Sequence, residues 1–200
     1  MKTEQRNHII LELERGMQSC FAPVFSKGIE VQAALNVSIR ELLCNQLDIE
    51  ESYLENGIQT IFLDGKLVDD YDTAIVGHGS MLALSAAMPG LVGAILRRGG
   101  PLAAMRREIT HNGGQSPARD LRGSVTIKLF NLTARDIGPL LLNYGIGLSA
   151  DDLGHLLTMF AGGFRRGCRR ATLDGSGITL DRLAATVEKS ERIYLQIKAI

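Results

Sequence analysis

Apolar and polar residues alternate with period two at two places in the chain. Ile29, Val31, Ala33 and Leu35 alternate with Glu30, Gln32 and Ala34, and Val125, Ile127 and Leu129 alternate with Thr126 and Lys128. Both runs predict strands with one buried face. The period then changes to that of a helix. Ser38 with Glu41, and Thr133 with Asp136, place a hydroxyl acceptor three residues before an acid, the arrangement of a capping box. Leu42, Leu43 and Leu47 continue the first helix; Ile137, Leu140, Leu141 and Leu142 continue the second. Residues 36–41 read Asn-Val-Ser-Ile-Arg-Glu and residues 131–136 read Asn-Leu-Thr-Ala-Arg-Asp, so the two stretches match in residue type as well as in period.

The likeness returns downstream. Thr60-Ile-Phe-Leu63-Asp64-Gly65 is echoed by Ala171-Thr-Leu173-Asp174-Gly175, each an apolar run closed by the Asp-Gly pair that favours a tight hairpin turn. Each half then ends on a last strand, Ser80 to Leu84 and Ser190 to Leu195. The second copy is longer by a helix over 149–160, with Ser149 and Asp152 as its cap and Leu153, Leu156, Leu157 and Phe160 on one face. Matched elements in the same order predict an internal duplication. Cys20 to Phe25, the turn-like Ser26-Lys27-Gly28 and the run 29–35 predict a hairpin ahead of the first helix, so that the unit reads strand, strand, helix, strand, strand. Met105 to Thr110 is the candidate first strand of the second unit. Gly99-Gly100-Pro101, then Gly113, Gly114 and Pro117, punctuate the chain between them. The expected division is a unit over 1–100 with an N-terminal extension, a linker or first strand over 101–122, and a duplicated α+β unit over 123–200. Residues 1–19 fit two periods: Ile9, Leu11 and Leu13 suit a strand, whereas Ile9, Ile10, Leu13 and Met17 suit a helix.

Composition limits the function classes. The chain has 200 residues, 45% of them hydrophobic, enough for one large domain or two small ones. Its 22 Lys and Arg balance its 22 Asp and Glu, which removes the surplus of positive charge that nonspecific binding to nucleic acid or anionic membrane requires. The average conceals a division. Residues 1–80 carry six basic and thirteen acidic side chains, and residues 81–200 carry sixteen and nine. Opposite fields of this kind dock one half on the other or one copy on another, and salt screens them. The longest uncharged run, Met81 to Leu96, is interrupted by Ser85, Pro89, Gly90 and Gly93 and falls short of the roughly 20 residues of a membrane-spanning helix. Cys20, Cys44 and Cys168 are far apart and odd in number, which fits a reducing compartment and no structural zinc. The charged N-terminus lacks the apolar core of a secretory signal, so the expected location is cytoplasmic.

Over residues 20–100, the order of strands, the turn at Asp64-Gly65, then Val68 and Ala74 to Val76 leading to Gly79-Ser80-Met81-Leu82-Ala83-Leu84, resemble a β-grasp domain. The stretch is most similar to the small sulfur-carrier proteins of molybdopterin and thiamin synthesis within the ubiquitin-like group. Together with the duplication, that resemblance implies an α+β fold of two tandem β-grasp-like units, the second with an extra helix. It also implies a chemistry in which a terminal diglycine carboxylate is adenylated and converted to a thiocarboxylate or an isopeptide. The candidate is Gly99-Gly100, in Leu96-Arg97-Arg98-Gly99-Gly100. Pro101 follows, so cleavage after Gly100 would be needed to free the carboxylate.

Other constellations resolve to plainer roles. Asp64, Asp69, Asp70 and Asp72 miss the spacing of a calcium loop and read as a solvated turn. The stretch from Met88 to Arg98 matches neither Gly-x-Gly-x-x-Gly nor the Walker pattern, although its amides with Arg97 and Arg98 suit an anionic group. Arg165, Arg166, Arg169 and Arg170, with Arg106 and Arg107, form a candidate basic patch for an acidic partner or for the acidic first half. Trp is absent, so base stacking has little support. His8, His78, His111 and His155 are isolated in sequence, Cys44 has no adjacent cation, and Ser80 and Ser85 lack the nucleophile elbow. The reading is therefore a non-enzymatic interaction or assembly module without metal or cofactor, binding a protein partner or a second copy through segment 86–98. Met88, Pro89, Gly90, Leu91, Val92, Arg97 and Arg98 are its contact residues. The alternatives are a carrier or modifier released after Gly100, and a binder of a small anion at the loop Gly90 to Arg98.

Overall fold

A computed structural model describes residues 7–86, 90–102, 121–187 and 190–200. Met88, Pro89, the candidate strand Met105 to Thr110, Arg106, Arg107 and His111 lie outside them. The fold is mixed α+β. By contact it divides into one unit of Met1–Val24 with Leu141–Ile200 and another of Phe25–Leu140.

β1 (Asn7–Leu13) decides the ambiguous N-terminus in favour of period two, with Ile9, Leu11 and Leu13 fully buried. Gly16, at φ 92°, turns the chain into a 3₁₀ segment, Met17–Phe21, and α1 (Ala22–Lys27). Helix therefore replaces the strand expected over Cys20 to Phe25, and no hairpin precedes β2 (Ile29–Ala34). Pro23 explains the change: its fixed φ and missing N–H suit the first turn of a helix, and buried Phe21, Val24 and Phe25 follow helical spacing. β3 (Val37–Ser38) leads into helical turns in which Glu41–Gln46 is π-helical, and Ser38 Oγ accepts the Glu41 N–H at 3.2 Å as its spacing predicts.

α2 (Glu51–Asn56) precedes β4 (Thr60–Leu63) and β5 (Lys66–Leu67), joined at Asp64 and Gly65 with φ of 51° and 79°. Both residues being left-handed makes this the turn whose twist matches the strands. β6 (Ile75–Val76), β7 (Met81–Ser85), α3 (Gly90–Leu96), β8 (Arg122–Phe130), α4 (Leu132–Asp136) and α5 (Gly138–Tyr144) follow. β9 (Ile146–Ser149) runs into α6 (Ala150–Met159), capped by Ser149 Oγ, which accepts the Asp152 N–H at 3.1 Å. After α7 (Ala161–Gly167) come β10 (Cys168–Leu173) and β11 (Ser176–Gly177), joined at Asp174 and Gly175 with φ of 48° and 81°. α8 (Leu180–Val187) and β12 (Arg192–Ala199) close the chain.

In the unit Phe25–Leu140, β2 pairs antiparallel with β8, β8 parallel with β7, β7 antiparallel with β4, and β4 antiparallel with β5. The other unit follows the same succession: β9 antiparallel with β12, β12 parallel with β1, β1 antiparallel with β10, and β10 antiparallel with β11. The contact units divide after Val24 and after Leu140, and the linker expected over 101–122 falls inside the second of them. β8, at the end of that linker, lies between β2 and β7, where Val125, Ile127 and Leu129 meet Val31, Ile29, Leu82 and Leu84 in register. A parallel pair such as β7 and β8 requires a long crossover, and residues 86–121 supply it.

Candidate functional site

Segment 86–98 is built around α3. Its first residue, Gly90, sits at φ 78°, and of its helix only Gly93 is fully buried. Leu91 and Val92 are 69% and 63% exposed, the two most solvent-open large apolar side chains among the described residues. The segment is nevertheless held firmly at its C-terminal end. Thr60 Oγ1 lies 3.4 Å from the Leu96 carbonyl, and the Arg98 N–H donates to the Gln59 carbonyl at 2.8 Å. Arg98 Nη2 donates to the Leu54 and Glu55 carbonyls at 3.2 and 2.9 Å. These belong to the last turn of α2, where carbonyls lack partners within the helix and a cation is favoured.

The Arg98 guanidinium also lies 4.3 Å from the centre of the Tyr71 ring, and Arg40 lies 4.8 Å from the same ring. Arg40 is fixed in turn by Asp72 at 2.6 Å and Glu51 at 3.1 Å. Tyr71 and Arg40 have no signal in the spacing of the sequence, because they meet Arg98 only through the fold. Truncation of Arg98 to Ala should free α3 and leave the sheet intact. The expected result is amide exchange over residues 93–98 faster by about tenfold or more, with little change in global melting. Unchanged exchange there would show that the arginine is not the anchor.

The diglycine closes a turn beyond the end of α3 at Leu96. Gly99 adopts φ 61°, Gly100 N–H donates to the Arg97 carbonyl at 3.1 Å, and a Cβ on Gly100 would lie 3.1 Å from that same oxygen. Glycine adopts this left-handed conformation without the strain that a Cβ would bring. For the anionic-ligand alternative, Arg98 commits Nη2 to the α2 carbonyls while its Nη1 is buried with no hydrogen-bond partner among the described residues, and Arg97 is exposed.

The remaining candidates are placed separately. Asp70 Oδ1 accepts the Asp72 N–H at 2.9 Å, which holds its carboxyl below the usual range, while Asp64 accepts from Met81 N–H and Ser80 Oγ. Among the described residues no group of three or more His, Cys, Asp or Glu is arranged to hold a metal ion, and no helix is long and apolar enough to cross a membrane. Burial pushes the Cys20 thiol up to about 11 and raises those of Cys44 and Cys168, which disfavours the nucleophilic thiolate. Thr133 does not cap a helix. Its hydroxyl accepts the Phe130 N–H at 3.0 Å and lies 3.1 Å from the Leu84 carbonyl, and Asn131, at φ 57°, stands at the start of α4 instead.

Two apolar residues missed in the sequence extend the surface. Phe130 pairs in register with Ser85, which itself faces Thr60, the residue beside the Leu96 carbonyl. Phe130 and Leu132, 38% and 49% exposed, therefore lie at the sheet end where α3 is anchored. Comparison with protein-family models, with curated proteins and with solved structures finds no match.

Proposed function

We propose that this chain is a non-enzymatic interaction or assembly module of β-grasp type, which binds a protein partner, in its simplest form a second copy, through segment 86–98. The observation that carries the proposal is the pairing of anchorage with exposure: α3 is tied to α2 through Arg98, yet Leu91 and Val92 project into solvent. A pre-ordered apolar helix loses little conformational entropy on binding. Full burial of the two side chains would contribute about 1.5–3 kcal/mol each. The β-grasp reading is supported by a helix following β2, by the Asp64-Gly65 hairpin, and by the shared succession of strand orientations in the two units. The matched turns Asp64-Gly65 and Asp174-Gly175 support duplication.

Sedimentation of the intact chain over a range of concentrations tests the proposal. A mass that rises with concentration and persists at high salt, and that Leu91→Asp with Val92→Asp abolishes without changing the melting curve, is the expected result. A mass independent of concentration, or one that the double substitution leaves unchanged, would remove segment 86–98 as the assembly surface.

A further inference from the structure

A second surface, remote in sequence from α3, lies along β10. β1 covers one side of this strand from Cys168 to Leu173, but on its other side β11 pairs only with Thr172 and Leu173. The Ile178 N–H adds one bond, to the Ala171 carbonyl, after which the chain leaves the strand. Among the described residues no strand pairs with Cys168 to Arg170 on that side. The divergence opens a cavity of about 500 Å³ between this strand edge and the start of α8. Arg169 and Arg170 stand on one wall and Thr179, Leu180 and Arg182 on the other.

The lining includes three arginines, no acid and no aromatic residue. Arg169 is engaged by Glu14, and Asp181, the nearby acid in the first turn of α8, is 3.2 Å from Arg165. No ion pair holds Arg170 or Arg182 among the described residues, and both are exposed. A bare strand edge supplies main-chain donors and acceptors in a row, and the guanidinium groups supply fixed forks for carboxylates. The absence of aromatic faces argues against a single-stranded nucleic acid.

We propose that this cleft binds an extended acidic peptide segment, which adds as a strand beside Cys168 to Arg170 and places its carboxylates on Arg170 and Arg182. Both kinds of contact are needed: edge pairing without charge would accept any strand, and charge without pairing would accept any anion.

Anisotropy of a short fluorescent peptide of alternating glutamate and valine, titrated with the full chain at low salt, tests this. The expected result is saturable binding that is lost when lysine replaces glutamate, and that weakens about tenfold or more when alternate peptide nitrogens are methylated. Arg170→Glu with Arg182→Glu should weaken it by a similar factor with an unchanged melting curve. Bound peptide should slow amide exchange over Cys168 to Arg170. Absence of binding, equal binding of the methylated peptide, or full competition by inorganic phosphate or an oligonucleotide of equal charge would overturn the proposal. The peptide series uses the unaltered chain, so it decides the matter even if the double variant does not fold.

Discussion

A chain ending at Gly100 should fail to fold as an independent domain. Residues 1–100 contain β1, whose two neighbours β10 and β12 lie beyond the cut, and they lack β8, which stands between β2 and β7. Removal of β8 strips Val125, Ile127 and Leu129 from the core, each fully or almost fully buried. At about 1.5–3 kcal/mol for each such side chain, the loss is comparable with the whole stability of a small domain, about 5–15 kcal/mol. It also leaves the facing edges of β2 and β7 without partners, an invitation to aggregation. The fragment should show no cooperative melting transition, and a fragment of residues 101–200 added during refolding should restore one. A cooperative transition in residues 1–100 alone would mean that β8 is dispensable to that stretch, and would support the reading in which the Gly100 carboxylate is released for adenylation.

The pairing of strands from before residue 100 with strands from after it separates what the local pattern decides from what it leaves open. The turns at Asp64-Gly65 and Asp174-Gly175 and the caps at Ser38 and Ser149 are local and legible, whereas Thr133, with the same spacing to Asp136, takes the Phe130 N–H instead of a helical one. Period two, also a local signal, settled β2 and β8 as strands. Pairing was not legible, because a strand with one apolar face suits any partner of similar pattern, and nothing in Val125, Ile127 and Leu129 distinguishes β7 from β12 as the parallel neighbour. The short apolar run Cys20 to Phe25 fits either period, and Pro23 tips it toward helix. In the candidate site, Leu91 and Val92 stood out as apolar residues in a glycine-rich segment. Their anchor, Arg98 between the α2 carbonyls and Tyr71, depends on contacts that only the folded chain makes.

The second large effect is expected at Gly145, between α5 and β9. Its φ of 108° lies in a region that L side chains rarely adopt. An ideal Cβ there would also fall 2.0 Å from the Tyr194 hydroxyl oxygen and 2.5 Å from the ring carbon bearing it. Tyr194, on β12, crosses this backbone because it faces Gly147 in the ladder and its hydroxyl donates to the Tyr144 carbonyl at 3.2 Å. Gly145→Ala therefore combines backbone strain of about 1–3 kcal/mol with overpacking of about 1–3 kcal/mol, since the ring cannot yield without losing its hydrogen bond. Gly175→Ala is the control. Its φ is 81°, but nothing lies within 4 Å of the added carbon, so only the strain remains. Urea denaturation should thus place Gly145→Ala well below Gly175→Ala in stability. In the background of Tyr194→Ala the clash is gone, and the cost of Gly145→Ala should fall to that of the control. If the two alanine variants were equally stable with Tyr194 in place, the close crossing of the β12 side chain over Gly145 would not be the constraint that keeps glycine there.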